Sequence, residues 1–313
     1  MVSDGRVREP AETTCETFIA VSDVSLAYGE DAQSVLAVER LTLHMERGDF
    51  VAVVGPSGCG KSTLMKLVSG LLLPTSGNIY VRGVRVREPV AGVGMAFQNP
   101  LLMPWRTTLR NVVLPLDILG RRYFVDRRER AARTERAQML LQSVGLGGFE
   151  HKLPYQLSGG MQQRANLCRA IIHQPEILLL DEPFGALDAF TREELWLAMQ
   201  ALWLEQKFSA MLVTHDLTEA VFLADRIFVM SGRPGRIIER MTVTFPRPRM
   251  SSLLADPAFT SLVSQLRLIV QDHGSPGRSS VHLQSSATPV PATTADRAAP
   301  RKESAARRPL HWR

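Results

Sequence analysis

Apolar residues recur along this chain in two rhythms. Phe18–Tyr28 (FIAVSDVSLAY) and Ser34–Met45 (SVLAVERLTLHM) are rich in alternating apolar positions, the pattern of strands with one buried face. Asp49–Gly55 (DFVAVVG) is a short aliphatic run ending at glycine, which predicts a parallel strand buried on both faces. A helix is predicted from about Lys61 to Leu71, a hairpin over Ser76–Val86 and a further strand over Gly92–Gln98. From about Asn99 to Arg169 the strand-like runs stop, and LRNVVLPLDILG and RRERAARTERAQMLLQSVG carry helical spacing. Beyond Glu176 aliphatic runs alternate with helical stretches: ILLLDEP, a helix over Thr191–Glu205, AMLVTH, a helix from Leu217, then RIFVM. Such alternation implies a parallel sheet flanked by helices. An apolar-patterned helix over Phe259–Gln271 closes the ordered part, and no internal repeat is visible. The predicted fold class is α/β, with a mixed or parallel sheet core, an antiparallel β subdomain from the early strands and an inserted α-helical subdomain over about 99–169.

Composition changes this picture little. With 45% apolar and 22% charged residues among 313, a sizeable core can form without disulfides. Cys15, Cys59 and Cys168 have no metal-ligand or paired spacing, which favours a reducing compartment. The net charge is +6, and its position matters more than its size. From residue 273 onward Arg278, Arg297, Arg301, Lys302, Arg307, Arg308 and Arg313 face only Asp296 and Glu303, a net of +5. The rest of the chain is therefore close to neutral, which argues against nucleic acid as a partner. That tail, residues 273–313, is rich in Pro, Ala, Ser and Thr and is expected to be disordered, as are the polar residues 1–15. A loose tether to acidic lipid is the alternative for the tail. The apolar stretch LMKLVSGLLL is too short to cross a bilayer and contains Lys66, so a transport role would need a separate membrane chain.

The chemistry begins at Gly55-Pro56-Ser57-Gly58-Cys59-Gly60-Lys61-Ser62-Thr63. It satisfies G-x-x-x-x-G-K-[ST] between a predicted strand and a predicted helix. Backbone N–H groups of such a loop curl around phosphate oxygens at a helix N-terminus. Lys61 is placed to neutralise β- and γ-phosphate charge, and Ser62 to ligate Mg²⁺. Cys59 reads either as a small loop residue or as a thiol activated by the helix terminus. Asp181 and Glu182 follow the aliphatic run Ile177–Leu180, at the strand end where a parallel sheet opens its crevice. Asp181 suits Mg²⁺, and Glu182 suits a general base that polarises the attacking water.

A second anion-binding helix start is written as Leu157-Ser158-Gly159-Gly160-Met161, ahead of QQRANLCRAII. A Ser-capped helix would use the same residues. With this segment the chain resembles the ATP-binding-cassette ATPases over roughly Phe18 to Arg240. The resemblance implies ATP and Mg²⁺ as cofactors. It also implies a dimer in which Ser158, Gly159 and Gly160 reach the γ-phosphate held by a second copy of the chain. Met161 stands where the usual residue is Gln, which removes the expectation of a side-chain hydrogen bond in trans from that position. By the same resemblance Tyr28 stacks on adenine, with a buried strand tyrosine as its alternative. Gln98 contacts Mg²⁺ or water, Ala186-Leu187-Asp188 crosses between subunits, and His215 senses the γ-phosphate.

FQNPLLMPWRTTLRNV and VTHDLTEAVFLADRIFVMSGRPGRI look like the ATPase subunits of bacterial importers for nitrate, sulfonates, taurine and related anions. That resemblance implies transmembrane permease subunits as partners. It implies an extracytoplasmic solute-binding protein indirectly, and a peripheral place on the cytoplasmic face of the membrane. Trp105 reads either as an interface anchor toward the permease or as part of the local helical core. The rival reading is a cassette ATPase acting in DNA repair or translation. Repair-type members carry long coiled-coil arms between the glutamine loop and the signature, whereas only some 60 positions separate Gln98 from Ser158. Translation-type members join two cassettes, and this chain has one. The expected layout is a cassette over 16–272 followed by the basic tail.

Overall fold

The computed structural model describes residues 17–29, 34–120, 127–185 and 187–274. The expectations for residues 1–15 and for all but the first two residues of 273–313 lie outside the described residues, as do Cys15 and Ala186. His273 and Gly274 belong to the last helix, so the predicted tail start falls two residues early.

Two sheets share the work. β1 (Thr17–Tyr28) pairs antiparallel with β2 (Val35–Glu46) and with β4 (Ser76–Val81), which turns back into β5 (Val84–Arg85). This four-stranded sheet has the order β2-β1-β4-β5. The second sheet is built on β3 (Phe50–Val54), with β6 (Val93–Ala96), β7 (Ile177–Asp181), β8 (Ser209–Thr214) and β9 (Arg226–Met230). These five strands run parallel, and β10 (Ile237–Thr242) joins antiparallel at one edge to give the order β10-β9-β3-β8-β7-β6.

Period-two alternation explains why the central strands are apolar throughout. Phe50, Ala52, Val54, Leu178, Leu180, Ala210 and Leu212 face one core, which also takes up the helices α4 (Gly159–Ile171), α5 (Ala189–Gln206) and α6 (Leu217–Leu223). Val51, Val53, Ile177, Leu179, Met211 and Val213 face the other core, shared with β1, β2, β4 and α1 (Lys61–Val68). A strand with core on both faces has no place for polar side chains until its end. α1 stops three residues short of the predicted Leu71, because Gly70 N donates to Leu67 O at 3.1 Å and Leu72 N to Lys66 O at 3.0 Å.

The segment between β6 and β7 is helical as expected: α2 (Thr108–Gly120), α3 (Arg127–Ser143), a 3₁₀ turn at Pro154–Gln156 and α4, which continues past Arg169 to Ile171. The last helix, α7 (Pro257–Gly274), packs on α6. No helix among the described residues is long and apolar enough to cross a membrane.

One structural device has no pattern-level signal. The strap Pro246–Met250 carries Arg249, almost wholly buried, whose Nη1 donates to the carbonyls of Val221 (3.1 Å), Phe222 (2.9 Å) and Ala224 (2.8 Å) at the end of α6. Beside it Arg247 binds Asp225 through Nε (2.9 Å) and Nη2 (2.7 Å). Burial lowers the Arg249 guanidinium to about 10, which leaves it charged at neutral pH. Arg249→Met would strand three buried carbonyls, so the urea unfolding midpoint should fall by the equivalent of about 3 kcal/mol. A loss below about 0.5 kcal/mol, the range of ordinary surface changes, would contradict this account of the strap.

Candidate active site

Parallel strands all end at the same edge, and the segments that follow β3, β6, β7, β8 and β9 gather there. Register fixes their neighbourhood: Val54 is level with Thr214 and Val229, and Asp181 with Val213. The residues that follow converge on a cleft of about 620 Å³. Of the predicted residues, Tyr28, Ser57, Gly58, Gly60, Lys61, Ser62, Thr63, Gln98, Glu182 and His215 line it. Gly55, Pro56, Cys59 and Asp181 are not among its lining residues.

The loop enters α1 through Gly60 at φ 102°, a left-handed conformation that a side chain would resist, and a Cβ there would fall 2.5 Å from Val38 Cγ1. Lys61 is buried, with Nζ donating to Gly55 O at 2.9 Å and Pro56 O at 3.0 Å. Its charge is thus held inside the loop. Burial pushes the Cys59 thiol up, with the nearby Lys61 charge opposing, so the activated-thiol reading fails and the small-residue reading stands.

At the far end Ser62 Oγ donates to Asp181 Oδ1 at 2.9 Å. Burial raises the Asp181 carboxyl, a shift that a bound cation would oppose. A hydroxyl, a carboxylate and the Gln98 amide form an all-oxygen donor set, which fits Mg²⁺ completed by water and phosphate. Glu182 follows in a left-handed conformation at φ 47°, while its N–H still donates to Val213 O at 2.8 Å. Holding a non-glycine residue there costs on the order of 1–3 kcal/mol, a strain that gathers at working sites. Its Oε2 accepts from Gln98 Nε2 at 3.1 Å and lies 3.2 Å from His215 Nδ1. Three separate strands therefore deliver one carboxylate with an amide and an imidazole on the same oxygen.

Tyr28 is exposed on the cleft wall, its hydroxyl 3.3 Å from Thr63 Oγ1, so it is not the buried strand tyrosine. Ser158, Gly159 and Gly160 do not line the cleft. Ser158 caps α4, its Oγ accepting from Met161 N at 3.3 Å, and Met161 packs on the core. Asp188 likewise caps α5, accepting from Thr191 N at 3.0 Å. Trp105 is 74% exposed, in a loop held by buried Asn111, whose amide bonds Met103 and the carbonyls of Arg106 and Thr107.

Several supporting residues escaped the sequence reading. Gln163 and Asn166 on α4 both donate to Phe97 O, at 3.3 and 3.1 Å, and Arg169 donates to Leu101 O at 2.6 Å. The helix that opens at the signature therefore grips the segment carrying Gln98. The recurrence of these side chains three positions apart was the available signal. Arg192 ties Leu187 O (3.0 Å) to Asp216 Oδ2 (2.8 Å), beside His215. Arg233 also lines the cleft.

Glu219 lies fully buried behind His215, with Oε2 accepting from Thr214 Oγ1 at 3.2 Å and Oε1 without a partner. Burial first, then the Asp216 charge, raises its carboxyl well above 4.5, with Arg192 opposing. A carboxyl raised in the folded state stabilises the fold fully below its unfolded value, and that contribution falls as pH rises toward the folded value. Glu219→Gln, which cannot ionise, should therefore gain melting temperature over wild type progressively from pH 5 to pH 8. A difference independent of pH across that window would contradict a neutral Glu219.

A model of the ABC transporter family matches residues 38–185. An uncharacterised ABC transporter ATP-binding protein of Methanocaldococcus jannaschii is 42% identical over 231 residues, covering 74% of this chain and 84% of its own length. The taurine import ATP-binding protein TauB of Escherichia coli (strain K12) is 41% identical over 231 residues, 72% of this chain and 88% of its own. The bicarbonate transport ATP-binding protein CmpD of Synechocystis is 38% identical over 255 residues, 81% and 89%. Among solved structures, a dimeric post-hydrolysis state of the ATP-binding cassette MJ0796 bound to ADP and Pi superposes with a TM-score of 0.64 at 30% identity, covering 73% of this chain and 100% of that one. With its phosphate loop, acid pair and signature on one cassette, the chain belongs to the ATP-binding proteins of ABC transporters and is an ATPase that works on ATP with Mg²⁺.

Proposed function

We propose that this ATPase powers import of a small anion, such as nitrate, a sulfonate or taurine, through a separate membrane permease. On this reading it sits at the cytoplasmic face of the membrane, paired with a second copy of itself and serving an extracytoplasmic solute-binding protein indirectly. The relatives named for taurine and bicarbonate support the solute class. The exposed Trp105 on an anchored loop supports a permease contact near Gln98. The short helical insertion, α2 to α4, leaves no room for the long arms of repair-type cassettes.

The observation that carries the mechanism is the Glu182 carboxylate, strained in its backbone and held by Gln98 and His215 at the Ser62–Asp181 end of the cleft. Glu182 accepts the proton of the attacking water. Gln98 and His215 orient that carboxylate and the water. Lys61 and the loop amides hold the phosphate chain, and Tyr28 stacks on the base. Ser62, Asp181 and Gln98 would hold Mg²⁺, which when bound neutralises charge on the phosphate oxygens. Ser158, Gly159 and Gly160 serve the partner's nucleotide, consistent with their place outside this chain's cleft.

Glu182→Gln should bind MgATP yet hydrolyse it roughly 10²–10⁴-fold more slowly, measured by phosphate release. Near-normal turnover would remove Glu182 from its role. Lys61→Ala should abolish nucleotide binding, whereas His215→Ala should bind and fail to hydrolyse. Equal loss of binding in both would sink this division of labour.

A further inference from the structure

Among the described residues, the nucleotide cleft is lined by one cation to which neither the phosphate loop nor the other motifs give a part. Arg233 lies in the turn between β9 and β10 and lines the cleft together with Lys61, Ser57 and Tyr28. Its Nε donates to Gly58 O at 2.7 Å, so the guanidinium rests against the middle of the phosphate loop. Nη2 stands 3.3 Å from the point where a Cβ on Gly58 would be, a closeness that a side chain at 58 would disturb.

The turn that presents Arg233 is tied down on both sides. Gly235 N donates to Ala37 O at 3.0 Å, and Glu39 N donates to Gly235 O at 2.9 Å. Ser231 Oγ donates to Pro234 O at 3.1 Å, and Arg236 binds Glu39 at 2.7 Å. Gly235 lies so close to the phosphate loop that a Cβ would fall 2.0 Å from Cys59 O, so only glycine fits. Arg233 is thus delivered by a fixed wall of the cleft.

Among the described residues no acid pairs with its charge. Arg192, Arg236 and Arg247 each pair with a carboxylate, Asp216, Glu39 and Asp225 respectively. Among the described residues Arg233 pairs with none, its hydrogen bond going to a backbone carbonyl. A guanidinium carries five N–H donors in a planar fork, and one of them is used among the described residues. Lys61 is buried within the loop, while Arg233 is exposed on the cleft side. We infer that Arg233 is a phosphate-binding residue for the nucleotide, a second cation placed on the outer side of the phosphate loop. This rests on the cleft being the ATP site. The site then recognises the phosphate chain by two cations of different kinds: a lysine held as a point charge and an arginine offering its free donors.

Isothermal titration of the full chain with MgADP and with a hydrolysis-resistant MgATP analogue tests this. The variants are Arg233→Gln, Arg233→Lys and Lys61→Ala. Loss of a charge-assisted contact should weaken both nucleotides roughly tenfold to a hundredfold in Arg233→Gln. Arg233→Lys should recover part of that affinity, and the melting temperature without nucleotide should not move. If Arg233→Gln binds within about twofold of wild type while Lys61→Ala loses binding, Arg233 is no phosphate ligand and the cleft remains the ATP site. If Lys61→Ala binds as wild type, the reading of the cleft fails and this inference with it. Normal nucleotide affinity in Arg233→Gln, with loss of nucleotide-dependent pairing of two chains, would also overturn it and assign the residue to the contact between copies.

Discussion

The constraint on which the rest depends is the parallel alignment of five strands, four of them (β3, β7, β8 and β9) buried on both faces. A strand such as Phe50–Val54 or Ile177–Leu180 has no solvent face on which to carry a functional side chain. Chemistry is therefore confined to the residue that follows the last buried one. Because the strands run in one direction, those residues meet at a single edge: Gly55 opens the phosphate loop, Asp181 ends β7, His215 follows β8 and Gln98 follows β6 by a short loop. The hydrogen-bond register sets their relative height, and the helices behind the sheet fix it. The strain at Glu182 is tolerated because its N–H keeps its place on Val213 and its side chain has two partners.

Helix ends do the rest of the positioning. α1 starts inside the phosphate loop, α4 at Ser158, α5 at Asp188 and α6 at Asp216, the last three with a side chain accepting from a backbone N–H two or three residues on. These starts are also joined sideways. Arg192 links the Leu187 carbonyl to Asp216, and the polar stripe of α4 holds Phe97 and Leu101. These bonds tie the segments that carry His215 and Gln98 to α4 and to the starts of α5 and α6.

Much of this was legible in the sequence, for identifiable reasons. Buried parallel strands and the phosphate loop are local signals: a short aliphatic run, a glycine, then Lys-Ser. Asp181 and Glu182 were readable because acids directly after such a run have one place to go. The edge strand β10 was missed because Ile237–Thr242 mixes Glu239 and Arg240 with apolar residues and is half exposed. The end of α1 was misplaced because backbone bonds around Gly70 outweigh the helical pattern continuing through Leu71–Leu73. The Arg247–Arg249 strap and Arg233 act through tertiary contacts 20 or more residues away in sequence, which no periodicity reports.

Within one chain the cleft is lined by the phosphate loop, Glu182 and His215, while Ser158 is not among its lining residues. On the proposed function, two copies complete each nucleotide site. The most direct test is the sedimentation mass of the Glu182→Gln chain, alone and with saturating MgATP, beside the same chain carrying Ser158→Arg. The account predicts a shift from 34.7 kDa to twice that mass with MgATP. It predicts no shift with Ser158→Arg, although MgATP still binds. A monomer at saturating MgATP, or a dimer indifferent to Ser158→Arg, would contradict it.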